Sequence, residues 1–230
     1  MHVSAFAPLR LLCLHGYYQN AEALQAQMSP LAETLGNTAE LVFADGPLVT
    51  SYPPEVSRAL EARGSRVEEG SLRGWWRSNE SPPGCWRYEG WEKAIETVRE
   101  EAANNSSGPF DGLVGYSQGA ALASLVLSSK PCADQWSPSF GLLVSGFIPR
   151  DPAAAALVSE SPVDTCHVFG ARDRIIKPDQ SRALAELVGG HTVMHQGGHA
   201  PRWGDPDVSK GIMDWLKKQQ RLKHQALDGE

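Results

Sequence analysis

Apolar residues along this chain fall into short dense blocks separated by longer stretches in which they recur every three or four positions. The blocks at Leu11 to Leu14, Glu40 to Ala44, Gly112 to Tyr116, Phe140 to Ser145, Cys166 to Phe169 and Thr192 to His195 predict strands. Most are apolar at successive positions rather than alternating ones, as expected of a parallel sheet covered on both faces. Helical spacing over Ala21 to Leu35, Trp91 to Ala103, Ser117 to Ser129, Pro178 to Val188 and Val208 to Lys223 predicts the covering helices. The alternation of the two patterns defines an α/β class with a mostly parallel central sheet.

One segment breaks the rhythm. Residues 46–90 are rich in Pro, Gly, Ser, Arg and Glu, yet hold Trp75, Trp76, Trp86 and Tyr88. The segment is too long for a plain connector and too rich in Trp for a disordered linker, so it reads as an insertion forming a lid or pocket wall.

A length of 230 residues fits a single domain spanning 1–230, and 41% hydrophobic with 21% charged residues puts the chain in the globular class. A formal net charge of -6 weighs against a nucleic-acid partner, which would need clustered cations to displace counterions. The basic stretch Lys217, Lys218, Arg221, Lys223, His224 reads as a solvated helix face. No stretch is long and apolar enough to span a membrane, and Met1 to Arg10 lack the pattern of a secretory signal. Cys13, Cys85, Cys132 and Cys166 form no C-x-x-C pair and read as buried reduced thiols, which points to the cytosol. Neither HExxH nor any other metal-ligand spacing occurs, so no metal and no cofactor is expected.

The chemistry resides in Gly115-Tyr116-Ser117-Gln118-Gly119, a G-x-S-x-G pattern. By itself this pattern is weak, but here a strand-like run precedes it and a small-residue helical run follows. That order describes an elbow in which Ser117 projects its hydroxyl above the sheet, with flanking glycines letting strand and helix approach. A serine hydroxyl needs a base, and the base a carboxylate to orient it, in the chain order Ser, acid, His. His199 is preferred as base over His195 because Gly197-Gly198-His199-Ala200-Pro201 is a loop beyond the last strand. Asp173 follows Cys166-His167-Val168-Phe169-Gly170 at a carboxyl end and is preferred as acid. Asp179 sits behind Pro178 in a helical first turn, and Asp164 precedes its strand. The oxyanion would be received by the amides of Gln118, next to the nucleophile, and Tyr17, in the loop after the first strand. His15 reads as support for that loop. Trp75, Trp76 and Phe147 are expected to line an acyl pocket, the alternative being that the Trp residues merely cover the sheet.

Taken together, several of these motifs resemble the family of small fungal and animal serine hydrolases that includes the ovarian-cancer-associated protein 2 type esterases. The matching pieces are Leu12-Cys13-Leu14-His15-Gly16-Tyr17-Tyr18-Gln19, Arg73-Gly74-Trp75-Trp76, Gly108-Pro109-Phe110-Asp111-Gly112 with the Ser117 motif, Leu143-Val144-Ser145-Gly146-Phe147, His167-Val168-Phe169-Gly170 with Asp173, and Gly197-Gly198-His199. The stretch Pro53 to Ser71 departs from the pattern. The resemblance implies an α/β-hydrolase fold and a hydrolase of small-molecule acyl esters or thioesters that uses Ser117, Asp173 and His199. A non-catalytic binding module on the same fold is the competing class.

Overall fold

The computed structural model describes residues 6–64, 68, 70–129 and 136–227. The chain runs β1 (Leu9–Leu14), α1 (Ala21–Leu35), β2 (Ala39–Ala44), β3 (Leu48–Val49), α2 (Pro54–Glu61), β4 (Arg73–Gly74), β5 (Arg77–Glu80) and β6 (Trp86–Glu89). It continues through α3 (Trp91–Ala103), β7 (Gly112–Tyr116), α4 (Gln118–Ser128), β8 (Phe140–Val144), α5 (Pro152–Ala155), β9 (Asp164–Gly170), α6 (Pro178–Val188), β10 (His191–His195) and α7 (Pro206–Leu227).

Six strands form one sheet in the order β10-β9-β8-β7-β1-β2, and every neighbouring pair is parallel. From β1 the chain steps outward to β2 and later returns to β7 on the other side of β1. This reversal opens a crevice at the carboxyl ends of β1 and β7, the place where open parallel sheets bind ligands. The loop holding Tyr17 leaves one of these strands, and Ser117 follows the other.

Two apolar layers hold the sheet. On one face α1 and α7 contribute Leu24, Met28, Leu31, Ile212 and Leu216, while on the other α3, α4 and α6 contribute Val98, Leu122, Leu125 and Leu184. Helix α1 is capped by the Asn20 carboxamide, which accepts from the Ala23 amide at 2.7 Å. It passes through Pro30, and the Ser29 hydroxyl donates to the Ala26 carbonyl that the proline cannot serve. Strand β10 is an edge strand and, unlike the interior strands, leaves His191, Thr192 and Met194 exposed. No described helix is long and apolar enough to cross a membrane.

The cysteines divide. Cys13 and Cys166 are buried free thiols, and burial pushes the Cys166 thiol up to about 12, so it stays protonated and unreactive. Cys85 is exposed, contrary to the sequence expectation, because it lies in the turn between β5 and β6 rather than in a core strand. Cys132 lies outside the described residues.

Burial also lowers His15, His167 and His195, and His167 falls to about 4. A base whose folded value is depressed stabilises the fold fully above its unfolded value near 6.5 and loses that contribution as pH drops toward 4. We expect His167 alone to cost roughly 3 kcal/mol across that window. Urea denaturation at pH 7 and pH 4.5 checks this, and a His167→Gln protein should show a flatter pH dependence.

Candidate active site

Ser117 adopts φ 54° and ψ -113°, a left-handed conformation that costs a non-glycine residue roughly 1–3 kcal/mol. The sequence permits this because its neighbours are glycines. A Cβ at Gly115 would lie 2.5 Å from Ala120 Cα, and one at Gly119 would lie 2.3 Å from the Leu14 carbonyl oxygen. Only glycine lets α4 pack this close to β7 and β1. The elbow is pinned from both sides: the Ser117 amide donates to the Val144 carbonyl at 2.8 Å, and its carbonyl accepts from Ala120 and Ala121.

The Ser117 hydroxyl lies 2.9 Å from His199 Nε2, and His199 Nδ1 lies 2.7 Å from Asp173 Oδ2. An ionised carboxylate can only accept, so Nδ1 carries the proton and Nε2 is free to receive one. The Asp173 side chain is fully buried, and its Oδ1 accepts from the Ile175 and Ile176 amides at 2.8 and 3.0 Å. Three side chains from three loops therefore lie on one hydrogen-bonded line. Asp179 instead stands 91% exposed beside Arg182, and Asp164 bonds Lys218 and Gln219 at the opposite end of its strand. The His195 ring is turned away, its Nδ1 accepting from the Gly197 amide.

Gln118 begins α4, where the first-turn amides have no helical acceptor. Among the described residues neither its amide nor that of Tyr17 is paired within the protein. Gly16 brings the Tyr17 loop against Ser117, since a Cβ there would lie 3.4 Å from Ser117 Cβ. His15, fully buried, fixes that loop: its Nδ1 bonds the Gly16 carbonyl at 2.7 Å and its Nε2 accepts from the Gly46 amide at 2.9 Å.

Trp75 and Trp76 sit elsewhere than the sequence suggests. Each is 1% exposed and belongs to the core, so neither indole offers a surface to an acyl chain. Trp75 stacks on His15 and donates from Nε1 to the His15 carbonyl at 2.8 Å, while Trp76 stacks on Tyr88. The Gln118 carboxamide clamps the pair, accepting from the Trp75 amide and donating to the Trp76 carbonyl, both at 2.9 Å. The insertion is thereby tied to α4, the helix that follows Ser117. Trp75→Ala or Trp76→Ala should destabilise the fold by roughly 3–5 kcal/mol in urea denaturation. A loss below about 1 kcal/mol would contradict this core placement. Phe147, beyond the carboxyl end of β8, remains partly exposed with Ile148.

Two supports escaped the sequence reading. Ser145 also takes a positive φ, of 50°, and its buried hydroxyl donates at 2.7 Å to the His199 carbonyl, holding the histidine loop. Its signal was a serine directly after a strand, as Ser117 is. The Tyr116 ring packs 5.2 Å from the His199 ring, its phenol pushed up to about 12 by burial and by the Asp173 charge.

The architecture is that of the α/β hydrolases, with a serine, a histidine and an aspartate meeting at the sheet's topological switch. Residues 3–201 match the family model described as serine hydrolase (FSH1), and the chain belongs to that family. It is 37% identical over 211 residues to Esterase OVCA2 of Homo sapiens, covering 86% of this chain and 91% of that one. Esterase CG5412 of Drosophila melanogaster is 32% identical over 203 residues, covering 83% and 67%. Among solved structures, acyl-protein thioesterase 2 of Zea mays superposes with a TM-score of 0.62 at 16% identity, covering 96% of this chain and 97% of that one. Esterase PE8 gives 0.62 at 18% identity over 94% of each chain. Family and relatives together make the chain a hydrolase.

Proposed function

We propose that this protein cleaves carboxylic esters of acyl chains through an acyl-enzyme formed on Ser117. The observation that carries the reading is the unbroken line of hydrogen bonds from Ser117 through His199 to the buried Asp173. Ser117 Oγ attacks the acyl carbonyl as His199 Nε2 takes its proton, and Asp173 holds Nδ1–H and stabilises the imidazolium. The oxyanion that forms is received by the amides of Tyr17 and Gln118, the latter at a helix N-terminus. His199 then passes its proton to the leaving alcohol, and water repeats the sequence on the acyl-enzyme. A thiolate leaving group needs no such proton, so the same groups serve an acyl thioester. The partly exposed Phe147 and Ile148 are the apolar groups proposed to meet the acyl chain, with 46–90 as the pocket wall of one hydrolase domain. The free thiols of Cys13 and Cys166 favour the cytosol as its place of action.

The test pairs a fluorophosphonate probe with acetate, butyrate, octanoate and decanoate esters and their thioester counterparts. Expected are rapid labelling at Ser117 and turnover that rises with chain length, since each buried methylene contributes about 0.8 kcal/mol. Absence of both labelling and turnover would instead favour a binding module.

A further inference from the structure

Beside the His199 loop lies a cavity of about 430 Å³ whose lining includes Arg172, His195, Gly198, Ala200, Arg202 and Asp205. Gly198 and Ala200 flank His199 in the chain, and Arg172 directly precedes Asp173, so the cavity adjoins the two loops that carry these residues. Two arginines and one aspartate line it, in a chain whose formal net charge is -6. Among the described residues neither Arg172 nor Arg202 is paired with a carboxylate. His195 adds a third donor. The residue is 6% exposed, and because Nδ1 accepts from the Gly197 amide at 3.1 Å, the proton of the neutral ring resides on Nε2. That buried Nε2 has no partner among the described residues. Two arginines without a carboxylate partner, lining one cavity together with a histidine whose Nε2 is orphaned, supply the donors of an anion site, arginine matching carboxylate and phosphate with two parallel bonds.

We propose that this cavity binds a phosphate or carboxylate carried by the leaving group of the substrate. The inference rests on the esterase reading above, because His199 gives its proton to the departing atom and so the leaving group exits on the side of the His199 loop. An anionic leaving group would then be held there by Arg172 and Arg202 while the acyl chain stays on Ser117. Both arginines are exposed, so their replacement should leave the fold intact.

The test compares octanoyl thioesters of pantetheine and 4′-phosphopantetheine, and octanoyl esters of glycolamide and glycolate. Wild type should prefer the anionic member of each pair in kcat/KM, and R172Q/R202Q should lower that preference about tenfold. A control change at the exposed Arg182, which does not line the cavity, R182Q, should leave the ratio unmoved. Equal preference in wild type and R172Q/R202Q would overturn the site. A preference appearing only for acyl chains ending in carboxylate would overturn its assignment to the leaving group. A binding measurement keeps the two readings separate: inorganic phosphate should raise the wild-type melting temperature by about 2–4 °C and leave R172Q/R202Q unmoved. If the protein turns over no ester or thioester, the esterase reading falls while this measurement still decides the anion site. A wild-type melting point that phosphate does not shift overturns it.

Discussion

Ser117→Ala is expected to lower kcat for an octanoate ester by on the order of 10⁵ to 10⁶ while leaving the melting temperature within a few degrees of wild type. The effect is large because Ser117 Oγ is the only hydroxyl bonded to His199 Nε2 among the described residues, so nothing nearby inherits the attack. What survives is whatever the proposed oxyanion amides of Tyr17 and Gln118 and the proposed acyl pocket do for attack by water. The fold should tolerate the change, since the backbone bonds that pin residue 117 to Val144, Ala120 and Ala121 do not involve its side chain. Alanine meets the same positive-φ strain as serine. Single-turnover assays with the purified variant, alongside thermal melting, give both readouts. A variant keeping more than about a tenth of wild-type kcat would refute Ser117 as nucleophile.

Asp173→Asn is expected to cost roughly 10⁴ in kcat. An asparagine can keep its oxygen on the Ile175 and Ile176 amides, but it then turns an NH₂ group toward His199 Nδ1. The imidazole must shift its proton to Nε2 to accept that donor, and a protonated Nε2 cannot take the serine's proton. The loss should therefore fall on kcat, with KM changing little. Asp179→Asn is the matched control, an exposed carboxylate in the first turn of α6 beside Arg182, and should leave kcat within about twofold. If Asp179→Asn carries the loss instead, the orienting acid has been misassigned.

The helices show how far local pattern reaches. The predicted bounds of α1, α3 and α6 coincide with the observed ones, because each buries one stripe and begins or ends at a strong local signal such as Asn20 or Pro178. Strand β1 begins earlier than its apolar block suggests. Arg10 interrupts the pattern, yet its guanidinium bonds Glu40 and covers the Phe110 ring, which lets Leu9 and Arg10 join the sheet. Those partners lie 30 and 100 positions away, beyond any local window.

By itself the sequence determined the α/β class, and it pointed to the glycine-flanked elbow at Ser117 and to His199 and Asp173 over their neighbours. Each of these is local: hydrophobic period, a glycine's missing Cβ, and position after a strand are all written within a few residues. Only the tertiary structure decided that Trp75 and Trp76 are core groups, that Gln118 clamps their backbone, and that Ser145 holds the His199 loop. It alone also gathered Arg172, His195 and Arg202 around one cavity. The physical reason is the same for all four. Whether an aromatic side chain meets solvent or core, and which donor finds which acceptor, depends on segments tens of residues apart being brought together by burial of the two apolar layers, which no local pattern encodes.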